Sequence, residues 1–297
     1  MLFRSVGRWK EDCGCSTGGH PGWNQKWRKP LREALDYLRD ELVKIYETEG
    51  SKYFNKDIWE VRNNYISVIL DRGSMSVEKF QQEYFNPSLS DEDIVKAMEL
   101  LEIQRQALLM YTSCGWFFSE ISGIETVQIM KYAARAMQLA SRFSKKDIET
   151  KFLEILAGAK SNIQEYGTGR DIFERFVKPS IITMKQIASL WAISSLYQDF
   201  EDEENVYCYT VKKHDYQKVE KGNSSFVVGR IEIKSRVTLK KSHLVFALMK
   251  YSSGDFHCAI KPYTDDNEFN TMKNELIKTP IERQHRRIQL ILRCSYK

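Results

Sequence analysis

Two aromatic strings in the sequence carry the side-chain types that bind sugars. Residues 20–28 read HPGWNQKWR, and residues 111–120 read YTSCGWFFSE. Sugar rings present apolar C–H faces that stack on indole and phenol rings, and their hydroxyls call for amide, carboxyl and guanidinium groups nearby. The mixture therefore favours carbohydrate binding. Aromatic residues of this kind also fill protein cores, and that alternative stays open for both strings.

A third string, Cys13-Gly14-Cys15, together with His20 offers three potential metal ligands within a short stretch. A C-x-C pair alone is a weak metal signal and no fourth ligand is evident, so we predict a structural turn with no metal and no cofactor. The sequence also lacks a G-x-S-x-G elbow, a phosphate-binding loop, H-E-x-x-H and C-x-x-C. We therefore assign no catalytic residue.

The spacing of apolar residues predicts the helices that must hold these strings in place. A helix is predicted to begin at Pro30, because proline is favoured in the first turn, and it carries one apolar stripe. That stripe consists of Leu31, Leu35, Leu38, Leu42 and Ile45. Ser90, followed by three acidic residues, predicts the N-cap of a second helix. Further helices are indicated at 127–139, from Ile148, and over 169–200 with a break at Pro179.

After the acidic tract 201–204 the pattern changes to runs of β-branched and aromatic residues. These runs lie at 206–211, 226–237, 244–249 and 256–260. Their short connections predict antiparallel strands. Because helices come first and strands second, we predict an α+β fold with an N-terminal α-helical bundle followed by a C-terminal antiparallel β-sheet module. The expected domains are a loop segment packing on the bundle (1–29), the bundle (30–200), and a β-rich module with a C-terminal helix (205–297).

Composition excludes several classes of protein. With 42% hydrophobic residues the chain is typical of a globular protein, and its net charge of +5 arises from interleaved charges rather than a basic stripe, so nucleic acid is not an expected partner. No apolar run approaches the roughly 18 residues of a membrane span, and the N-terminus lacks a signal peptide, so a cytoplasmic location without a membrane partner is expected. Six sparse cysteines indicate reduced thiols.

Longer strings make the sequence more specific. Residues 7–19 read GRWKEDCGCSTGG, 21–28 read PGWNQKWR, 108–118 read LLMYTSCGWFF, and 121–126 read ISGIET. These strings resemble the C-terminal domain of unknown function 3536, which is found attached to glycoside hydrolases of family 57 annotated for α-amylase or α-mannosidase-like activity. The resemblance extends from residue 5 to about residue 275.

The resemblance implies a part of a retaining hydrolase that acts on α-glucan or a related oligosaccharide. In family 57 the nucleophile and the acid/base lie in a (β/α) barrel that this chain lacks, and a helical region completes the substrate cleft. The implied partners are an α-linked oligosaccharide or polysaccharide and a separate family 57 barrel. The candidate substrate contacts are Trp9, His20, Trp23, Asn24, Trp27, Tyr111, Trp116, Phe118, Glu120 and Glu125.

Two departures from the family pattern matter. Residues 113–118 resemble the family's Asp-Trp-Pro-Phe signature, but Gly115 stands at its aspartate and Phe117 at its proline, which puts the sugar-hydroxyl contact of that aspartate in doubt. The ends of the chain, including 279–297, have little family character, so the sequence reads as a detached or frameshifted piece of a longer gene. No pair of carboxylates can be assigned to retaining chemistry, which needs a separation of about 5 Å. We expect no hydrolysis by this chain alone.

Three functions remain open from the sequence. The first is a cleft-completing domain that contacts sugar, and the second is a purely structural module that stabilises the parent enzyme without sugar contacts. The third is a self-sufficient enzyme that uses Asp12, Glu120 or Glu125. Exposure of the indoles distinguishes the first function from the second.

Overall fold

The structure of the chain is a computed structural model that describes residues 7–15 and 19–279. Its contacts cluster into two units, which divide between Ile181 and Ile182. The N-terminal unit is helical, and the C-terminal unit contains an antiparallel sheet. The predicted α+β class, with helices first and strands second, is confirmed.

Helices build the N-terminal unit. In chain order they are α1 (Arg28–Tyr53), α2 (Ile58–Asn64), α3 (Ile66–Leu70), α4 (Ser74–Tyr84), α5 (Asp91–Leu109), α6 (Ile124–Ala140), α7 (Ile148–Leu156) and α8 (Gly169–Ile172). Short 3-10 turns lie at Gly7–Trp9, Ser113–Trp116, Gln164–Tyr166 and Lys178–Ser180, and a π-helical turn lies at Phe173–Val177. Because α1 packs against α5, α6 and α7, it is the central helix of this unit.

The helix α1 buries four of the five residues in the predicted stripe, and the fifth, Ile45, is partly exposed. Leu31, Leu35, Leu38 and Leu42 are fully buried, and each contributes on the order of 1.5–3 kcal/mol of hydrophobic free energy. The helix begins at Arg28, two residues before the expected start. Pro30 therefore lies in the first turn, where backbone N–H groups have no partner within the helix and the missing donor costs little.

Local capping explains two further helix starts. The Ser90 Oγ accepts a hydrogen bond from the Asp93 amide at 3.2 Å, and Asp147 accepts one from the Thr150 amide at 3.0 Å. Such caps satisfy backbone donors that the first turn leaves unpaired. The helix α6 encloses the predicted helical stretch 127–139.

The helices α2, α3 and α4 were not predicted from the sequence. Contacts distant in sequence help to fix them: the Tyr46 hydroxyl donates to the Ile58 carbonyl oxygen at 2.7 Å. The buried Tyr65 hydroxyl donates to Glu102 Oε1, also at 2.7 Å. Short helices of this kind are stabilised by packing more than by their own propensity.

The C-terminal unit is a meander of strands flanked by two helices. It comprises α9 (Met184–Ser194), β1 (Glu203–Val206), β2 (Tyr209–Lys221), β3 (Ser224–Ser235), β4 (Lys241–Lys250), β5 (Phe256–Pro262) and α10 (Asp266–Lys278). The strands lie side by side in chain order, and all neighbouring pairs are antiparallel, as the short turns predicted. The strand β1 lies at one edge of the sheet and pairs with β2.

A helix covers each face of the sheet. Trp191 of α9 packs in one apolar cluster with Phe246 of the sheet. Phe269 of α10 packs in a second cluster with Phe226. Since residues 226 and 246 point to opposite faces, the middle of the sheet is buried on both sides.

The helix α9 packs on the sheet, whereas the sequence predicted it within a bundle of residues 30–200. Ile187, Ala188, Trp191 and Ala192 form its buried face, and this face packs on the strands. The break between Ile181 and Ile182 directly precedes the helix.

None of the helices in the described part of the chain is long and apolar enough to cross a membrane. The longest described helix, α1, has 26 residues but carries charged side chains along its length.

Candidate functional site

Two buried tryptophans join the aromatic strings. Trp27 directly precedes α1, and Trp116 ends the 3-10 turn Ser113–Trp116. Their rings stack with centroids 6.4 Å apart, and both side chains are fully buried. The Trp27 Nε1–H also donates to the Ser119 carbonyl oxygen at 3.2 Å. The two strings thus share one core, and neither indole has a free face for a ligand.

Arg28 lies beside this pair and is also fully buried. Its Nη2 donates to the Phe118 carbonyl oxygen at 3.3 Å, and its Nη1 lies 3.3 Å from Cys13 Sγ and 3.4 Å from Cys15 Sγ. Burial and the charge of Arg8 lower the pKa of Arg28 to about 10, so its guanidinium remains protonated at neutral pH. One buried cation therefore ties the N-terminal segment to the second aromatic string.

Cys13 and Cys15 are paired in a disulfide, whereas the sequence analysis expected reduced thiols. Their one-residue spacing and the shared contact with Arg28 hold the two sulfur atoms side by side. Within residues 7–15 and 19–279, no cluster with metal-ligand geometry joins this pair to His20. Cys114, Cys208 and Cys258 are free, and Cys294 lies outside the described residues.

Trp9 and Tyr111 meet on either side of Arg32. The Arg32 Nη1 donates to the Trp9 carbonyl oxygen at 3.2 Å, and its guanidinium carbon lies 4.7 Å from the centre of the Tyr111 ring. The Tyr111 hydroxyl donates to Asp36 Oδ1 at 2.6 Å. Burial and this hydrogen bond raise the pKa of Tyr111 well above its usual range, so its hydroxyl is a donor and not a base.

Glu120 is a buried carboxylate with three donors. It accepts hydrogen bonds from the Ser122 amide at 3.0 Å, the Ser161 hydroxyl at 2.6 Å and the Asn162 amide at 2.8 Å. The Asn162 side chain in turn donates to the carbonyl oxygens of Ser119 and Asn24. These hydrogen bonds compensate for burying the charge of Glu120, since a buried charge must be hydrogen-bonded. The role of Glu120 that they indicate is to position the loops.

The remaining candidate residues lie on the periphery. His20 is exposed and its ring stacks on the partly exposed Trp23, with centroids 4.0 Å apart. Glu125 is partly exposed in the first turn of α6, where a carboxylate suits the positive end of the helix dipole. It lies five residues from Glu120 in the chain, and it is not among the three groups described above that donate to Glu120.

Two phenylalanines beside this core face solvent. Phe117 is 54% exposed and Phe118 is 44% exposed. Their rings contact edge to face, with centroids 5.1 Å apart, and the Arg8 guanidinium carbon lies 5.3 Å from the centre of the Phe117 ring. We call Arg8, Phe117 and Phe118 the aromatic surface. It is an exposed aromatic patch, and the Arg8 guanidinium lies over one of its two rings.

The structure therefore gathers most of the candidate residues around the N-terminus of α1. Trp27, Trp116, Phe118, Glu120 and Asn24 are linked by the contacts described above, and Trp9 and Tyr111 adjoin them through Arg32. Trp27 and Trp116 are fully buried and have no face free for a sugar, whereas sugar contact by the exposed candidates stays a prediction. A cavity of about 290 Å³ lies elsewhere, between α6 and α7, and no candidate residue lines it.

Sequence reasoning missed three residues that organise this region. Arg28 was part of the first aromatic string but not one of the candidate contacts, and Asp36 and Asn162 were not considered. A usable signal existed for Asp36, because it follows Arg32 by four residues on a helix and such pairs meet. Asn162 is distant in sequence from its partners, so no local signal reveals it.

The comparisons with known proteins agree with the resemblance at the level of one domain. The family model of the domain of unknown function DUF3536 matches residues 23–295. The match ends later than residue 275, where the resemblance was expected to stop, and it begins after the string 7–19. No curated protein and no solved structure is significantly similar to the chain.

Proposed function

Because the chain belongs to the family of the domain of unknown function DUF3536, we propose that it is the C-terminal, cleft-completing part of a family 57-like glycoside hydrolase acting on α-glucan or a related oligosaccharide. The link to family 57 comes from the sequence resemblance. In this proposal a separate barrel supplies the catalytic carboxylates. The chain supplies one wall of the substrate cleft.

The aromatic surface is the observation that carries the proposal. Sugar-binding sites combine exposed aromatic rings with hydrogen-bonding groups at their edge. Phe117 and Phe118 provide such rings, and the Arg8 guanidinium, which lies over the Phe117 ring, provides donors. The partly exposed pair His20–Trp23 offers a second stacked platform in the same unit.

The buried indoles have a supporting role in this proposal. The stacking of Trp27 on Trp116 fixes the loop that presents Phe117 and Phe118. Arg28 adds a hydrogen bond to the Phe118 carbonyl oxygen. Because these contacts hold the loop in place, less conformational entropy is lost when a sugar binds to the aromatic surface. A small binding surface can then reach a measurable affinity.

Glu120 is not the carboxylate of an independent active site in this proposal. Its oxygens already accept three hydrogen bonds within the chain, and it is 7% exposed. A general acid or nucleophile needs access to substrate. The self-sufficient enzyme is therefore the weakest of the three functions.

The test is a titration of the full chain with maltoheptaose, a soluble α-linked oligosaccharide, by isothermal calorimetry. We expect weak binding, with a dissociation constant of about 1 mM, equivalent to about −4 kcal/mol. The Phe118→Ala variant should weaken binding by about 3- to 10-fold, the equivalent of about 0.7–1.4 kcal/mol. Phe256→Ala is the matched control, because Phe256 is 40% exposed in the C-terminal unit and should leave affinity unchanged.

The complete burial of Trp27 and Trp116 favours a second candidate, the structural module without sugar contacts. In that case the chain binds no α-linked oligosaccharide at millimolar concentration but raises the melting temperature of a co-expressed family 57 barrel. Sugar binding that is equal in Phe118→Ala and Phe256→Ala would also remove the aromatic surface from the proposal.

The proposal includes a cytoplasmic location. Three of the described cysteines, Cys114, Cys208 and Cys258, are free thiols, as is typical of a reducing compartment, and the pair Cys13–Cys15 is the exception. Cell fractionation with an antibody against the chain tests this location.

A further inference from the structure

Three potential metal ligands meet on the sheet of the C-terminal unit. His214, Glu232 and His243 lie on the neighbouring strands β2, β3 and β4. One imidazole nitrogen from each histidine and one carboxylate oxygen all lie within 4.8 Å of one another. The residues are far apart in sequence, so the strand pairing alone brings them together.

The register of β3 and β4 fixes two of the three ligands. Glu232 and His243 are direct cross-strand partners, so their side chains lie on the same face of the sheet. The His243 Nε2 is 3.5 Å from Glu232 Oε2. This spacing is set by the backbone and does not depend on a chance approach of two flexible chains.

A β-bulge places the third ligand. The pairing of β2 with β3 shifts between Lys213 and Asp215, which leaves His214 without a cross-strand partner. Lys212 is opposite Glu232, and the ring of the bulged residue His214 lies near the other two ligands, with its centroid 6.4 Å from that of the His243 ring. Bulges re-aim side chains in this way and are frequent beside functional sites.

We propose that His214, Glu232 and His243 form a binding site for a divalent transition-metal ion of the Zn²⁺ class. Imidazole and carboxylate are suitable ligands for Zn²⁺, and two histidines with one glutamate form a ligand set that leaves a coordination position open to water or a substrate group. His214 and His243 are exposed, so their rings are free to rotate toward an ion entering from solvent.

The surroundings of the cluster include opposing charges. Lys212 and Arg230 lie on neighbouring positions of β2 and β3, and both disfavour a cation. Arg230 is already paired with Asp266 at 2.7 Å, which offsets its charge. Because the cluster belongs to the C-terminal unit and shares no residue with the aromatic surface, this inference is independent of the proposed function.

The test is a calorimetric titration of the full chain with ZnCl₂. We expect about one ion per chain to bind through this site. The His214→Ala and His243→Ala variants should each weaken affinity at least about 100-fold, which exceeds the effect of losing an outer-shell partner. His257→Ala is the control, since His257 lies on β5 of the same sheet outside the cluster, and it should bind Zn²⁺ like the unmodified chain.

Two further measurements make the result independent of variant folding. Replacing Zn²⁺ by Co²⁺ should give the absorption of nitrogen and oxygen ligands, and an intense thiolate charge-transfer band would instead place the ion on cysteines and overturn the proposal. In NMR spectra of the unmodified chain, Zn²⁺ should shift the ring signals of His214 and His243 and leave those of His257 unchanged. Absence of Zn²⁺ binding, or equal affinity in all histidine variants, would also overturn it.

Discussion

The indole rings of Trp27 and Trp116 lie nearly parallel, inclined by 13° with centroids 6.4 Å apart, and neither ring is exposed to solvent. The contact joins the start of α1 to a turn about ninety residues later in the chain. It therefore supports both the core of the helical unit and the position of the aromatic surface.

Trp116→Ala should lower the free energy of unfolding by about 3–5 kcal/mol, because it removes a large buried ring and leaves a cavity against Trp27. Urea denaturation followed by circular dichroism measures the change. Trp23→Ala is the control and should cost less than about 1 kcal/mol, since Trp23 is partly exposed and stacks on exposed His20. Equal losses in the two variants would contradict the assigned roles.

Gly115→Ala should destabilise the chain by about 1–3 kcal/mol, because a side chain at residue 115 overpacks the core. A β-carbon built there would lie 2.6 Å from Ile129 Cγ2 and 2.7 Å from Ile129 Cδ1. Gly7→Ala is the control, since its β-carbon would meet only Cys13 Cβ at 3.8 Å. Thermal unfolding of both variants measures the difference.

The same contact predicts a rescue. Ile129→Ala removes the atoms that meet the new β-carbon, so Gly115→Ala should cost less in that background than in the unmodified chain. A double-mutant cycle measures this coupling, and additive losses would contradict the steric explanation. An aspartate at residue 115, as in the family 57 signature that residues 113–118 resemble, would meet Ile129 even more severely.

Glu120→Gln should destabilise the chain by about 1–3 kcal/mol, because the amide nitrogen of glutamine would face a hydrogen-bond donor. The present carboxylate accepts from Ser122, Ser161 and Asn162. Glu125→Gln, in a partly exposed position, should change stability by less than about 0.5 kcal/mol. Chemical denaturation of the two variants tests this, and unchanged stability in Glu120→Gln would reopen a catalytic role.

Stability should fall in acid partly through Glu41. Hydrogen bonds from Lys146, at 2.7 Å, and Lys44, at 2.9 Å, hold the pKa of Glu41 below its ordinary value of 4.5. Because the folded pKa is depressed, the stabilisation is present above pH 4.5 and is lost as the pH falls through the lower folded value.

Glu41→Gln should therefore lose less stability than the unmodified chain between about pH 5 and pH 3, by up to about 1 kcal/mol. Melting temperatures measured across this range give the comparison. Glu47→Gln, exposed on the same helix, should follow the unmodified chain. A parallel pH dependence in Glu41→Gln and the unmodified chain would contradict the role of this ion pair.

The helices that the sequence predicted are those whose start or apolar stripe is determined by neighbouring residues in the chain. Ser90 caps α5 through the amide three residues ahead, and the leucine stripe of α1 repeats over several turns, so both signals lie within one segment. The helices α2, α3 and α4 have 7, 5 and 11 residues, too few turns for a clear periodicity. Their positions depend on partners such as Ile58 and Glu102 that only the fold supplies.

The sequence predicted which residues lie close together at the candidate site, but not which of them are exposed to solvent. Trp27 lies four residues before Leu31 and eight before Leu35, so its burial follows from extending the stripe of α1 backward by one turn. Trp116 offers no such signal because it lies in a 3-10 turn. The exposure of Phe117 and Phe118, one and two residues later, depends on how that turn packs on Trp27.

The short strand β1 makes one edge of the meander a poor template for a further strand. It is 4 residues long, its sequence is EENV, and it forms the outer row beyond β2. Long flat outer strands of apolar side chains recruit further chains into fibrils, whereas brief charged ones do not. Two adjacent glutamates in a strand of four residues leave little apolar surface and a local negative charge at this edge, so we infer that a second copy of the chain pairs poorly with it.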